Sequence, residues 1–369
     1  MKIERLEIYR VAMPLLSPFN TAFGDTNTVE SIIVKLSSDG IVGWGETAPW
    51  RYPAYSPESA IGAFLTIKKF LVPLVLGKKI STGKELQEIM SVVKGNQFAK
   101  AGIDLAWWDC YARMENTPLN RIIGGIGDTA DVGADFGVMK SHGDLLEKIA
   151  EAKLNGYKRI KLKFRPGWAI DMVKAVRHQF PTETFHIDCN SAYSLNELNM
   201  FKALDDYNLT MIEQPLKFDD LIDHAALRKQ IKTPICLDES INDIDKVRKA
   251  IEIGACDWVN IKPGRVGGIT KAIEIHDICK KNNIPCWIGG MLESSIGGYH
   301  CLALATLSNI RYPSDIFPTN RFYYRDLGSK PLNVSEPGKM SVLQLPGIGV
   351  EADEEMLKKL TIEKVSFTA

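Results

Sequence analysis

A chain of 369 residues whose 45 lysines and arginines balance 45 aspartates and glutamates carries no net charge to draw it to nucleic acid or to an anionic membrane. Its length exceeds one usual compact core, so a large barrel or two domains is expected. The apolar and charged fractions, 45% and 24%, are those of an ordinary globular protein, and the seven cysteines at 110, 189, 236, 256, 279, 286 and 301 form no Cys-x-x-Cys pair, which excludes a thiolate zinc site and a disulfide framework.

The opening MKIERLEIYRV alternates charged and apolar residues without a signal-peptide core, and no later run nears the roughly 20 apolar residues of a membrane span. A cytoplasmic protein is therefore expected. Residues 2–13 and 29–48 alternate as strands do, with Ser38-Asp39-Gly40 as a hairpin turn. Two aromatic-rich stretches, PFNTAFGD from Pro18 and TAPWRYPAYS from Thr47, are expected as loops over a site. Helices are expected to open at Ser56-Pro57-Glu58 and to run from about Gln97 to Met114. Residues 1–125 thus form an α+β capping domain, completed by the C-terminal segment 340–369, and residues 126–339 form a second domain.

In that second domain five apolar runs end in charge: RIKLKF at Lys163, FHIDCN at Asp188, MIEQP at Glu213, ICLDES at Asp238 and WVNIKPG at Lys262, at spacings of 25, 25, 25 and 24. Ser194–Tyr207, with its Ser-x-x-Glu box, and Asn242–Ile253, with Asn242 as cap and Gly254 beyond its end, are the intervening helices. Adding strands at about Asp131–Val138 and Ile284–Ile288, and a short eighth near Ile316, gives a (β/α)8-type barrel, with an open doubly wound sheet as the competitor. His186, Asp188 and Asn190 share one strand face, as do Cys236 with Asp238 and Asn260 with Lys262, while Ile187, Ile235, Leu237, Val259 and Ile261 face the helices. In a barrel the charged strand ends meet in the mouth.

Three carboxylates, Asp188, Glu213 and Asp238, would repel unless a cation joined them, and an all-oxygen set favours Mg2+; structural salt bridges to the nearby lysines are the alternative. Lys161 and Lys163 lie on one strand face, so the charge of Lys161 is expected to favour a neutral Lys163 that removes a proton.

The phrases IKLKFRPGW, DCNSAY, IEQPL, TPICLDES, NIKPGRVGG and GGMLES together resemble the enolase superfamily, its muconate-lactonizing subgroup, and within it the o-succinylbenzoate synthase and N-succinylamino acid racemase family. The resemblance implies proton abstraction next to a carboxylate of a small substrate, with Mg2+, or Mn2+ in its stead, on Asp188, Glu213 and Asp238, and Lys163 and Lys262 on opposite faces of the α-carbon. It further implies Lys161 and Asn190 as close supports, Glu239 and Arg265 behind the ligands, and substrate contacts from Phe19, Tyr55, Asp135, Gly290, Met291, Leu292, Glu293 and Phe322. A homo-oligomer and a place in menaquinone biosynthesis or amino acid racemisation belong to the same expectation. Two departures stand out: Asp135 where the family shows Ser or Thr, and Glu293-Ser294-Ser295-Ile296-Gly297-Gly298-Tyr299 without the family's arginine. Dipeptide epimerisation and muconate cycloisomerisation are the alternatives in the same class, although PTNRFYYRD lacks the epimerases' Asp-x-Asp, and an inactive binding barrel is the alternative outside it.

Overall fold

The computed structural model describes residues 1–21 and 24–369, with the side chains of residues 19–25 left outside the description, so the expected contact of Phe19 lies outside the described residues. Strands β1 (Arg5–Thr21), β2 (Gly24–Ser38) and β3 (Ile41–Thr47) form an antiparallel meander. Its fourth strand comes from the other end of the chain, where β13 (Thr361–Thr368) pairs with β1, giving the order β13-β1-β2-β3. Asp39 and Gly40, at φ 48° and 77°, make the two-residue turn that the sequence suggests, since two successive positive φ angles suit the right-handed twist of the hairpin.

Two local expectations are corrected. Of the stretch from Pro18, residues 18–21 and 24–25 continue the β1–β2 ladder, with Phe19 opposite Thr26 after a register shift between Pro14 and Phe19; two prolines without N–H groups interrupt the ladder there and hide it in the sequence. The next helix begins at Ala60, capped by Ser59, not at Ser56. Glu58 instead accepts hydrogen bonds from the N–H groups of Phe98 (3.1 Å) and Ala99 (3.3 Å), because Asn96, the left-handed residue before helix Gln97–Met114, places no side chain there.

A parallel seven-stranded sheet follows, in the order β11-β10-β9-β8-β7-β6-β5. Its members are β5 (Ala134–Phe136), β6 (Ile160–Lys163), β7 (Phe185–Asp188), β8 (Ile212–Glu213), β9 (Ile235–Leu237), β10 (Trp258–Ile261) and β11 (Cys286–Ile288). The start of the expected first barrel strand is a separate short strand, β4 (Thr129–Asp131), paired with β12 (Lys339–Ser341). The helix expected at Asn242 takes Asp243 as its cap, whose carboxylate accepts from the N–H of Lys246. Between Ser194 and Tyr207 the capping box is formed, and a short α-helix lies between two 3-10 turns.

The barrel closes earlier than expected. Instead of a strand near Ile316, the segment 310–315 bridges β11 and β5: Arg311 N–H donates to Cys286 O (2.9 Å), Asp315 N–H to Ile288 O (2.8 Å) and Gly133 N–H to Ser314 O (3.0 Å). Pro313 has no N–H to extend a ladder, so only isolated bridges form. Inside lie His186, Cys236, Trp287 and Tyr312, while Ile187, Ile212, Leu237 and Ile261 pack outward beneath the helices. The cap is tied to the barrel at the helix Ser295–Ala305, where Glu46 of β3 accepts from the N–H groups of Ser294 (3.1 Å) and Gly297 (2.9 Å).

Candidate active site

Register carries the charged strand ends to one level. Lys163 lies opposite Asp188 and Asp188 opposite Glu213, while Glu213 pairs with Cys236, two residues before Asp238 and on its face. All three carboxylates are buried. Lys161 Nζ sits among them, 3.0 Å from Asp188, 2.8 Å from Glu213 and 3.1 Å from Asp315. Lys163 Nζ donates to Asp188 (2.7 Å) and to Asn190 Oδ1 (3.0 Å). Across the mouth, Lys262 Nζ donates to Asp238 Oδ2 at 2.9 Å, and the other oxygen of Asp238 takes the hydroxyl of Tyr55 at 2.9 Å and the guanidinium of Arg265.

Burial alone would raise the carboxyl of Asp188, but the ammonium groups of Lys161 and Lys163 hold it well below the usual carboxylate range. Burial would lower Lys161, yet Asp188, Asp315 and Glu213 hold it well above an ordinary lysine. Lys262 is also raised, with burial opposing and the Tyr55 hydroxyl the first of the groups that outweigh it. Lys161 therefore keeps its positive charge beside Lys163. Glu239 is pushed up to about 7, first by burial and then by Asp188.

A cavity of about 40 Å3 opens onto Lys161, Lys163, Lys262, Asn190, Asp135 and Tyr55, and Gly290, Met291 and Leu292 line it as well. Two predicted contacts fall elsewhere. Glu293 turns into its own loop, accepting from Met291 N–H at 2.7 Å, and Phe322 packs on Phe317 and lines a larger outer cavity of about 700 Å3. Asp135 reaches both cavities and leaves a buried oxygen, Oδ1, without a hydrogen-bond partner. Glu239 accepts from Asn190 Nδ2 at 3.2 Å, and Arg265 touches Asp238 directly rather than through another residue.

Three further residues join the site, and only Asp315 lies outside the periodic runs. Asp315 comes from the irregular closing segment, Asn260 Nδ2 donates to Glu213 Oε1 at 2.8 Å, and His186 Nε2 lies 3.2 Å from Glu213 Oε2. The phase of the strands places Asn260 and His186 inward, but only contact assigns them to Glu213. Trp50 and Phe317 complete the cavity wall.

The donor set suits a hard divalent cation: three buried carboxylates, without thiolate or imidazole among them, at adjoining strand ends. A cationic group already stands between Asp188 and Glu213, the ammonium of Lys161. Among the described residues no three Asp, Glu, His or Cys side chains close into a metal cage, since Lys161 separates the first two carboxylates and Lys262 and Arg265 engage the third.

Two family models match the chain: the mandelate racemase / muconate lactonizing enzyme N-terminal domain over residues 4–124 and the enolase C-terminal domain-like model over residues 144–356. The o-succinylbenzoate synthase of Geobacillus kaustophilus is 40% identical over 98% of this chain and 96% of its own length. The N-succinylamino acid racemase of Thermus thermophilus is 38% identical over 98% of each. A crystal structure of an enolase-superfamily member from Listeria innocua superposes with a TM-score of 0.96 at 38% identity, covering 100% of this chain and 99% of that one. A barrel with these strand ends, matched along both family models, belongs to the mandelate racemase / muconate lactonizing group of the enolase superfamily and is an enzyme of its lyase and isomerase chemistry.

Proposed function

We propose that the chain removes the proton α to a substrate carboxylate in a Mg2+-dependent reaction that dehydrates the ring precursor of o-succinylbenzoate. The observation that carries this reading is the entry of Lys163 and Lys262 into one cavity from β6 and β10, with Asp188, Glu213 and Asp238 at the strand ends between them. Asp188, Glu213 and Asp238 would hold the metal. At that place Mg2+ would supply positive charge against the extra negative charge that a carboxylate gains when its α-proton leaves.

The chain's own groups do the rest. One lysine nitrogen takes the α-proton; the opposed lysine faces the other side of the planar carbon. Lys161 adds fixed positive charge, and Asn190 orients Lys163 through the bond to its ammonium. Burial of these groups in a small cavity excludes bulk water from the reacting carbon. The lysine that took the α-proton then gives it to the hydroxyl on the neighbouring carbon, whose C–O bond breaks as water leaves and the C=C bond forms, completing a dehydration.

Racemisation of N-succinylamino acids is the second reading, favoured by the same two lysines: a proton removed by one and returned by the other inverts the centre. An inactive barrel would lack a lysine or a carboxylate, and none is missing. The test is to offer the o-succinylbenzoate precursor and N-succinylamino acids with and without Mg2+. Product from the first, lost on chelation and restored by Mg2+, is expected; turnover that ignores chelation, or no turnover of either, overturns the reading.

A further inference from the structure

Lys161 has a third anionic partner that the proposed metal set leaves out. Asp315 is buried in the segment that closes the barrel, its Oδ2 3.1 Å from Lys161 Nζ and its Oδ1 hydrogen-bonded by Arg159. Both of its supports are fixed. The Asp315 N–H donates to Ile288 O at 2.8 Å, and its carbonyl oxygen lies so near Gly290 that a Cβ there would meet it at 2.5 Å, which ties glycine to that position. Arg159, fully buried, also donates to Pro313 O at 3.0 and 3.1 Å, and its guanidinium lies 5.5 Å from the Trp287 ring centre.

We infer that Asp315 is a positioning residue: it keeps the Lys161 ammonium when a divalent cation takes Asp188 and Glu213, and thereby sets how tightly the site binds that cation. The inference rests on the reading of those two carboxylates as ligands. A dication entering between them meets the ammonium that bridges them now, and like charges at such range repel. Lys161 has little water to turn to, because its side chain is only 3% exposed. An ammonium stripped of all its anions in a buried site is costly, so without another partner it would hold Asp188 and Glu213 against the metal. Asp315 is that other partner. It belongs to neither strand that supplies the two carboxylates, and it is already within ion-pair distance before any metal enters.

Mg2+ binding to the full-length protein, measured by titration calorimetry without substrate, tests this apart from turnover. Asp315→Asn is expected to weaken Mg2+ roughly tenfold or more, the loss of one close buried counter-charge. Adding Lys161→Met to that variant removes the competing ammonium and is expected to bring affinity back to within about threefold of Lys161→Met alone, the non-additivity that marks two residues acting through each other. A merely structural role for Asp315 would give no such rescue. A folded Asp315→Asn protein that binds Mg2+ as the wild type does, or a double variant as weak as the single, overturns the inference. Should Asp315→Asn fail to fold, Lys161→Met alone decides: tighter Mg2+ binding supports competition, and unchanged or weaker binding overturns it. A wild-type protein that binds no Mg2+ overturns the ligand reading along with this one, whereas wild-type binding indifferent to Asp315 overturns only this one.

Discussion

On the β6–β8 side of the mouth, Lys161 and Lys163 meet Asp188, Glu213 and Asp315, all contributed by barrel segments, whereas across the mouth Asp238 is held by Lys262, Arg265 and a hydroxyl from the cap, that of Tyr55. The first side is a closed charge network that the barrel forms by itself. The second is finished only when the cap docks, and Tyr55 also places its ring 4.6 Å from the Lys262 ammonium. One side therefore supplies charge balance and the other couples it to the cap, so variants on the two sides should fail in different ways.

The largest effect is expected on the first side. Glu213→Gln removes one of the proposed anionic ligands while keeping the acceptor for Asn260, so turnover should fall to background and Mg2+ binding should weaken sharply, with the fold retained by circular dichroism. A variant that keeps most of its Mg2+-dependent activity would show that Glu213 is no ligand.

Next come the lysines, one from each side. Lys163→Ala and Lys262→Ala should each cost about 10²- to 10⁴-fold in turnover, the usual contribution of a positioned base. Both should abolish racemisation of an N-succinylamino acid, which needs two opposed groups. In D2O each variant should still exchange the α-proton of one enantiomer, and the two variants should favour opposite enantiomers. Equal deuterium uptake into both enantiomers by either protein would contradict the opposed placement.

A smaller, one-sided effect is expected from Tyr55→Phe. A hydrogen bond to a charged group is worth about 1.5–3 kcal/mol, so kcat/KM should fall by about tenfold or somewhat more, with exchange of the enantiomer assigned to Lys262 suffering more than the other. An equal fall for both enantiomers would mean that the two sides of the mouth are coupled as one unit.

How much of this was legible in the sequence follows the same division. Lys163, Asp188, Glu213, Asp238 and Lys262 sit at regular strand ends, and a repeat of 24 or 25 residues with a constant inward phase is enough to bring them together. Asp315 was invisible because Pro313 breaks the pattern of the last barrel segment, leaving no run for a charge to terminate. Ser56-Pro57-Glu58 reads as a helix opening, yet Glu58 serves a helix 40 residues away, a long-range choice that local pattern does not encode. The surroundings of Lys161 are hidden for a related reason: Lys161 next to Lys163 is a local fact, while the three carboxylates around Lys161 come from three other segments. Tyr55 was anticipated as a substrate contact, but its bond to Asp238 depends on how the cap meets the barrel.

The smallest effect on activity at neutral pH, and the one that separates the sides by stability, is expected from His224. This imidazole is buried in helix Ile222–Arg228; its Nε2 accepts the N–H of Leu216 at 3.2 Å and its Nδ1–H donates to Asp220 O at 2.6 Å, so the ring is neutral and pins the loop that follows Glu213. Burial pushes its pKa down to about 4 from 6.5, against the smaller opposing effect of the Asp220 carbonyl. A depressed histidine stabilises the fold fully above its unfolded pKa and loses that contribution as pH falls through the folded value, so the loss should run from about pH 6.5 down to about 4 and reach about 3 kcal/mol in all. Protonation would cancel the acceptor for Leu216 before it touches anything on the Tyr55 side. Hydrogen exchange between pH 6.5 and 4 should therefore quicken first in residues 214–224 and later around residues 47–58, and His224→Gln should flatten the acid limb of the stability curve over that window. Exchange that quickens first around Tyr55, or an acid limb unchanged in His224→Gln, would show that the β8 loop is not where acid first loosens the mouth.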